Sequence, residues 1–396
     1  MNWQHTNILA QLLNEGNCMA EKYSKLNFII IIAGILSMFL LLYYVFGSTH
    51  DGIYAIAKVK SIQEIKTEEV ETNEKTFKIE LDFLTGPYAG KTMNAEHFEI
   101  PGSVYNLDLQ KGETILAIAE KQDDQLLIGV DEHFKSRWLM FLSMIIILVI
   151  AAIAGISGVK AMLGLFSTLI IIFVVMARLL LQGVSPIPLV IGCSFAIIAI
   201  NILIIAGRTR KGLIAGIGTL SGVILSGLFG WLATELLKLN GYSGDESTYL
   251  QILSSSIDLR GIMIGGIIIG SLGAVMDVAI SIASALLEIS IANPSYSRKK
   301  LFESGMNIGR DTIGSMVNTL ILAYTGASLT LILLFVIQKE DFPLIKIMNM
   351  EFICTEVVRS LAGLFGMVLA IPITALVASI VYTHSLNSAC ETDKEV

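Results

Sequence analysis

The chain has 396 residues, of which 54% are apolar and only 15% are charged, and its mean hydropathy is +0.71. Soluble globular domains carry about 25% charged residues, so the composition excludes that class and indicates an integral membrane protein. The net charge of −7 comes without any block of basic residues, which argues against a nucleic acid partner.

The first predicted element is a membrane anchor. Residues 1–25 are polar and carry Lys22 and Lys25, directly before an apolar run over 26–46. A run of about 21 residues is long enough to cross a bilayer. It ends without the small-x-small pattern of a signal peptidase site, so we predict that the anchor is retained and that residues 1–25 are cytoplasmic.

The next segment, 49–135, predicts a soluble β domain. It contains 9 Lys and 17 Asp or Glu, and apolar residues alternate with polar ones over 59–65 and 77–83. Turn signals such as Gly86-Pro87 and Lys111-Gly112 separate five or so short strands. A small all-β barrel of OB-like topology fits this length, and a β-sandwich or an open sheet fits it as well. The acidic surface favours a protein partner over nucleic acid.

Seven apolar runs follow and predict the membrane domain, 138–383. They are 138–157, 161–181, 186–207, 212–237, 261–288, 311–337 and 357–383. With the anchor they predict an all-α bundle of about eight transmembrane helices, followed by a cytoplasmic tail, 384–396. The basic connectors at 160, 208–211 and 298–300 fall on the side of Lys22, so we predict that both termini are cytoplasmic and the β domain is outside. We expect the acids of the outer connectors 238–258 and 338–356 to be solvated.

One predicted helix, 261–288, carries a polar stripe. Its members are Gly266, Gly270, Gly273, Asp277, Ser281, Ser284 and Glu288. Their spacing places them within an arc of roughly 80°. The glycines and serines could serve the close approach of a neighbouring helix. A carboxylate at mid-bilayer costs about 2.5–3.5 kcal/mol on insertion scales, so two of them favour the other interpretation, an ion or substrate path.

The following segment predicts a second stripe. Pro294 ends the first helix, and residues 298–306 predict a short helix on the membrane surface. The next helix repeats the four and three spacing at Asp311, Ser315, Asn318, Leu322 and Thr325, which are polar except for Leu322. We predict that Arg310 pairs with Glu288 and that Asn318 approaches Asp277. Alternatively, Asp311 only favours the positive end of its own helix.

A further polar set lies near the predicted outer ends of three spans. It consists of Arg178, Glu235, Glu356 and Arg359. These residues predict two Arg/Glu pairs, either static links between helices or an extracellular gate.

Three stretches resemble one known family. They are 273–288 (GAVMDVAISIASALLE), 304–311 (SGMNIGRD) and 318–326 (NTLILAYTG). Together they closely resemble the YibE/F family of bacterial membrane proteins. The resemblance implies a bacterial plasma-membrane protein with an anchor, an extracytoplasmic segment and a region of several spans, and it implies no established activity.

The first functional hypothesis is therefore a secondary transporter or permease for an ion or small solute, with Asp277 and Glu288 as its protonatable or cation-binding groups. The alternative is a membrane scaffold that presents residues 49–135 to a partner protein. An intramembrane aspartyl protease would need two Asp at matching depth, whereas Asp277 is central and Asp311 is at the membrane edge. Four scattered cysteines and no catalytic motif lead us to expect no enzyme, no cofactor and no metal.

Overall fold

The computed structural model describes residues 53–65, 75–99, 102–103, 106–122, 125–242, 244–253, 257–340 and 342–392. The predicted N-terminal segment 1–25 and the anchor 26–46 lie outside these residues. The described chain forms two compact units that divide at Gly155, and each is described by itself.

The first unit contains a five-stranded antiparallel sheet. Its strands are β1 (Ile53–Ile65), β2 (Lys75–Phe83), β3 (Thr92–Glu99), β4 (Thr114–Gln122) and β5 (Gln125–His133), in the order β3-β2-β1-β4-β5. The edge strands β3 and β5 also lie close to each other, so the sheet curls into a small barrel. The prediction of a small all-β domain is confirmed.

Alternating side chains fill the barrel. The fully buried ones include Ala57, Ile79, Leu81, Ile115 and Ala117. Residues two apart on a strand share one face of the sheet, which is why the alternating pattern in the sequence predicts this core. The small alanines let the strands lie close across a narrow interior.

Helix α1 (Ser136–Leu181) begins in the first unit and ends in the second. Its backbone leaves the helical conformation at Gly155, with φ 54° and ψ −136°, and it takes a π-helical form at Ile171–Met176. A positive φ is easily adopted by glycine because it has no Cβ. The two predicted runs 138–157 and 161–181 therefore correspond to two helical segments that meet at a kink at Gly155.

The remaining helices belong to the second unit. They are α2 (Pro186–Ile205), α3 (Arg210–Leu236), α4 (Asp245–Leu253), α5 (Leu259–Ala292), α6 (Arg298–Ala327), α7 (Leu329–Ile337), α8 (Leu344–Ile347) and α9 (Glu351–Thr392). Helices α6 and α7 are bent by 61° relative to each other. Among the described residues, five helices are long and apolar enough to cross a membrane, and six if this bent pair is one span. A membrane protein with several spans is thus confirmed, and the count of eight stays a prediction because the anchor lies outside the described residues.

The centre of the second unit is the contact of α3, α5 and α9. Helix α3 places Gly218, Gly222 and Gly230 against these two neighbours. A Cβ atom added at Gly222 would lie 2.8 Å from the carbonyl oxygen of Gly366 and 2.5 Å from Val275 Cγ1. Small residues four apart let helix backbones approach closely, and here they do so on α3.

Helix α6 corrects one prediction. Residues 298–306 do not form a separate surface helix, because the helix runs without interruption from Arg298 to Ala327. Gly305 and Gly309 lie inside this helix and face α9. A Cβ atom at Gly305 would lie 2.8 Å from Ala375 Cβ, and one at Gly309 would clash with Ile371.

Candidate functional site

The predicted stripe lies on one continuous helix, α5. The helix starts where the Asp258 carboxylate accepts a hydrogen bond of 2.9 Å from the Gly261 N–H, and it ends at Asn293. Its 34 residues are about 51 Å long, which exceeds the roughly 30 Å of a bilayer core. A side chain near its middle, such as Asp277, is therefore far from both ends.

The apolar side of α5 is the one that packs. Ile267, Val275 and Ile282 on that side are fully buried. The opposite side carries the predicted stripe, and its members are exposed except Gly266 and Ser284, which are half-buried. The bundle therefore leaves the stripe open.

The stripe glycines do not serve close packing of helices. Among the described residues, no atom of a neighbouring element lies within 4 Å of a Cβ atom added at Gly273. A Cβ atom at Gly265, on the packed side, would lie 2.7 Å from Val190 Cγ2. The packing interpretation therefore explains Gly265 and does not explain Gly273.

The acids of the stripe have no partner within the described part of the chain. Neither Asp277 nor Glu288 makes a hydrogen bond or ion pair there. Ser284 donates to the carbonyl of Ile280 at 2.7 Å, which is a bond within its own helix. Ser281 is exposed beside them. The stripe thus offers an open carboxylate at mid-helix and a second one near the helix end.

The second stripe, like most of the first, is exposed. Helix α6 turns Ile313, Met316 and Leu320 toward the core. Its polar residues Asp311, Ser315 and Asn318 are consequently exposed.

One predicted contact between the stripes is wrong. The guanidinium of Arg310 donates to Asn307 Oδ1 at 3.2 Å and does not pair with Glu288. The approach of Asn318 to Asp277 stays a prediction, and the two form no hydrogen bond among the described residues.

The outer charged set pairs differently from the prediction. Glu235, on α3, pairs with Arg260 in the first turn of α5, at 2.6 Å. Glu356 and Arg359 pair with each other along α9, where residues three apart are neighbours. Arg178 forms no ion pair with any described residue.

Arg359 lies over the outer part of the stripe. A Cβ atom added at Gly270 would lie 3.8 Å from Arg359 Cγ and Cδ and 3.8 Å from the hydroxyl oxygen of Tyr324. One added at Gly266 would lie 3.9 Å from Arg359 Nη2. Gly266 and Gly270 of α5 thus leave room for the Arg359 side chain to lie against the helix. The sequence placed Arg359 near the outer surface but gave no sign of Tyr324.

Glu351 links the start of α9 to the segment that follows α3. Its Oε1 accepts hydrogen bonds from the N–H groups of Asn240, Gly241 and Tyr242 at 2.5, 2.8 and 3.2 Å. Successive N–H groups that point to one site form an anion-binding nest. Glu351 and the helix-capping Asp258 are therefore structural, and the expectation that the acids of these connectors are only solvated is wrong for both.

The comparisons with known proteins bear on the same helices. The profile of a family described as YibE/F-like protein matches residues 142–384, which is more than half of the chain. The chain belongs to the YibE/F family. The matched region includes α5, α6 and nearly all of α9, so the open stripe and Arg359 lie within the family's shared part. No curated protein and no solved structure matches the chain.

Proposed function

We propose that this YibE/F protein is a secondary transporter or permease of the bacterial plasma membrane that moves an ion or small solute along the polar side of α5. The observation that carries the proposal is that Asp277 lies unpartnered at mid-helix on a side that the bundle leaves open. Hydrocarbon disfavours a bare carboxylate by about 2.5–3.5 kcal/mol, so such a side suits water or a bound cation.

In this proposal each polar residue of α5 has a role that depends on its position along the helix. Asp277 binds a proton or cation, Ser281 and Ser284 supply oxygen ligands along the way, and Glu288 receives the solute near the cytoplasmic end. Gly273 keeps the surface above Asp277 free of side chains. Asp311, Ser315 and Asn318 form the adjoining polar surface of α6, and their part in the same path stays a prediction. The proposal includes no catalytic step.

The test is proton flux through the full chain reconstituted in liposomes that hold a pH-sensitive dye. Under an imposed pH gradient, we expect the protein to raise proton flux above that of protein-free liposomes and Asp277→Asn to abolish the increase. Glu303→Gln, at an exposed position of α6, is the matched control and should retain flux. Equal flux of H⁺ and also of Na⁺, the latter followed with a Na⁺-sensitive dye, from Asp277→Asn and the unmodified chain, with both proteins equally inserted, would remove the proposal.

A second candidate function is a membrane scaffold, and the self-contained barrel core favours it. The strand order β3-β2-β1-β4-β5 with close edge strands supports an OB-like topology for this domain. In this case residues 49–135 bind a partner protein outside the cell. Cross-linking to one partner that requires this segment, in a chain that conducts no protons, would favour the scaffold.

A further inference from the structure

Arg359 makes a single polar contact in the described chain. Its Nη1 donates to a carboxylate oxygen of Glu356, one turn earlier on α9. A guanidinium has five N–H donors, so most of its donors remain free. Those groups lie above Gly266 and Gly270 on the same side of α5 that carries Asp277.

Asp277 is within reach of a rearranged Arg359. Gly270, which is level with Arg359 Cγ, lies seven residues before Asp277, or about 10.5 Å along the helix. An extended arginine, one hydrogen bond and the aspartate side chain together cover about that distance. Side chains on a helix also tilt toward its N-terminus, so the Asp277 carboxylate is directed toward Gly270.

The surface along which Arg359 would move from Glu356 to Asp277 is open. Gly273 stands between Gly270 and Asp277, and no atom of a neighbouring element lies within 4 Å of a Cβ atom added there, as far as the chain is described. The other titratable groups around Arg359 are Glu356 on its own helix and Tyr324 on α6. Asp277 is therefore the carboxylate of the stripe nearest to Arg359 after Glu356, because Glu288 lies eleven residues further along α5.

We propose that Arg359 exchanges between Glu356 and Asp277 and competes with the transported cation for the Asp277 carboxylate. This inference rests on the proposed function and specifies its substrate class as a monovalent cation, either H⁺ or Na⁺. The Arg359 guanidinium carries one positive charge, and the Glu356 and Asp277 carboxylates carry two negative charges together. The net charge of −1 is balanced by one monovalent cation. The structure holds the arrangement in which Arg359 binds Glu356 and Asp277 is free to accept the cation.

The test measures the protonation of Asp277 without measuring transport. Dicyclohexylcarbodiimide reacts with protonated carboxyl groups in apolar surroundings, and mass spectrometry of the full chain in nanodiscs locates the product on Asp277. We expect Glu356→Gln to release Arg359 to Asp277 and to lower the pH midpoint of labelling by about one unit, a tenfold loss of labelling at a fixed pH above the midpoint.

Further variants separate this exchange from a general disturbance. Adding Arg359→Gln to Glu356→Gln should return the midpoint to that of the unmodified chain, and adding Arg359→Lys should keep it low. Glu303→Gln, at an exposed position of α6 outside the proposed path, is the control and should leave the midpoint unchanged. Protection of Asp277 by NaCl at constant pH would identify Na⁺ as the cation, and absence of protection would identify H⁺.

Two outcomes distinguish the inference from the proposed function. Equal midpoints for Glu356→Gln and for its double variant with Arg359→Gln would overturn the exchange, even if transport is observed. A shifted midpoint that Arg359→Gln reverses, in a chain that moves no cation, would retain the exchange and reject the transporter.

Discussion

Asp277 is the residue on which the interpretation of α5 depends. Two other acids of the second unit have partners: Glu235 pairs with Arg260, and Glu351 accepts three backbone N–H groups. Asp277 has neither kind of partner in the described chain, although it lies nearer the middle of its helix than Glu288 does. A carboxylate without a partner is costly in hydrocarbon, so we attribute Asp277 to function rather than to stability.

His97 gives a prediction at the same scale, in the β domain. Its side chain lies in β3 on the inward side with Ala95 and is 9% exposed, and its Nε2 has no hydrogen bond to a described residue. Burial lowers the pKa of His97 because it disfavours the charged imidazolium, and the nearby Glu99 carboxylate offsets only part of this effect.

The unfolded chain therefore binds a proton more readily than the folded domain as the pH falls below the ordinary histidine value of about 6.5. We expect the amide protons of β2 and β3 to lose protection between pH 7.5 and pH 5.5, after correction for intrinsic exchange. His97→Met cannot take up this proton and should lose less. The same loss in His97→Met and in the unmodified chain would contradict this account.

At the scale of elements, glycines have different structural roles on α3 and on α5. Gly222 allows the backbones of α3 and α9 to touch, whereas Gly273 faces open space. Both are helical glycines in apolar sequence, so the residue type alone does not distinguish them. What distinguishes them is the neighbour on the facing side.

We expect alanine to affect these two positions in opposite directions. In Gly222→Ala the new Cβ must displace Val275 or the Gly366 backbone, and such overpacking typically costs about 1–3 kcal/mol. Gly273→Ala meets no neighbouring atom and should gain roughly 0.5–1 kcal/mol of helix stability. Thermal unfolding of both variants in detergent measures the difference, and an equal loss of stability in both would show that Gly273 is also a packing residue.

The sequence predicts where the helices lie better than how they face each other. Apolar run length correctly predicts α2, α3 and α5, and the spacing of Asp277 and its neighbours places the stripe on one side of α5. The sequence cannot show which side of α5 packs against other helices. Lipid is as apolar as a protein core, so residues that face lipid and residues that face the core have the same polarity. For the same reason the sequence does not show that Gly305 and Gly309 contact α9.

At the scale of the whole molecule, the basic connector before α3 lies beside the ends of α5 and α9. A cavity of about 410 Å³ brings Arg210 and Lys211 at the start of α3 together with Ser290 at the end of α5 and Tyr382 of α9. Short basic connectors face the cytoplasm, so we propose that α9 ends there and that the β domain is outside.

Fusions test this orientation. Alkaline phosphatase is active only outside the cytoplasm, so we expect it to be active when fused after residue 135 and inactive when fused after residue 396. A fluorescent protein that matures only in the cytoplasm should give the opposite result at the same two sites. Active phosphatase after residue 396 would show that the predicted orientation is inverted.

The bond between Glu351 and the 240–242 backbone also constrains how the protein is made. It joins positions more than 100 residues apart, and α9 supplies Met367 and Ile371 to the same core that α3 and α5 line. While a ribosome has produced only the earlier spans, three N–H groups and the groove beside Gly222 lack their partners. Insertion helix by helix therefore leaves an unfinished bundle, and the native arrangement is reached only after α9 has been synthesised.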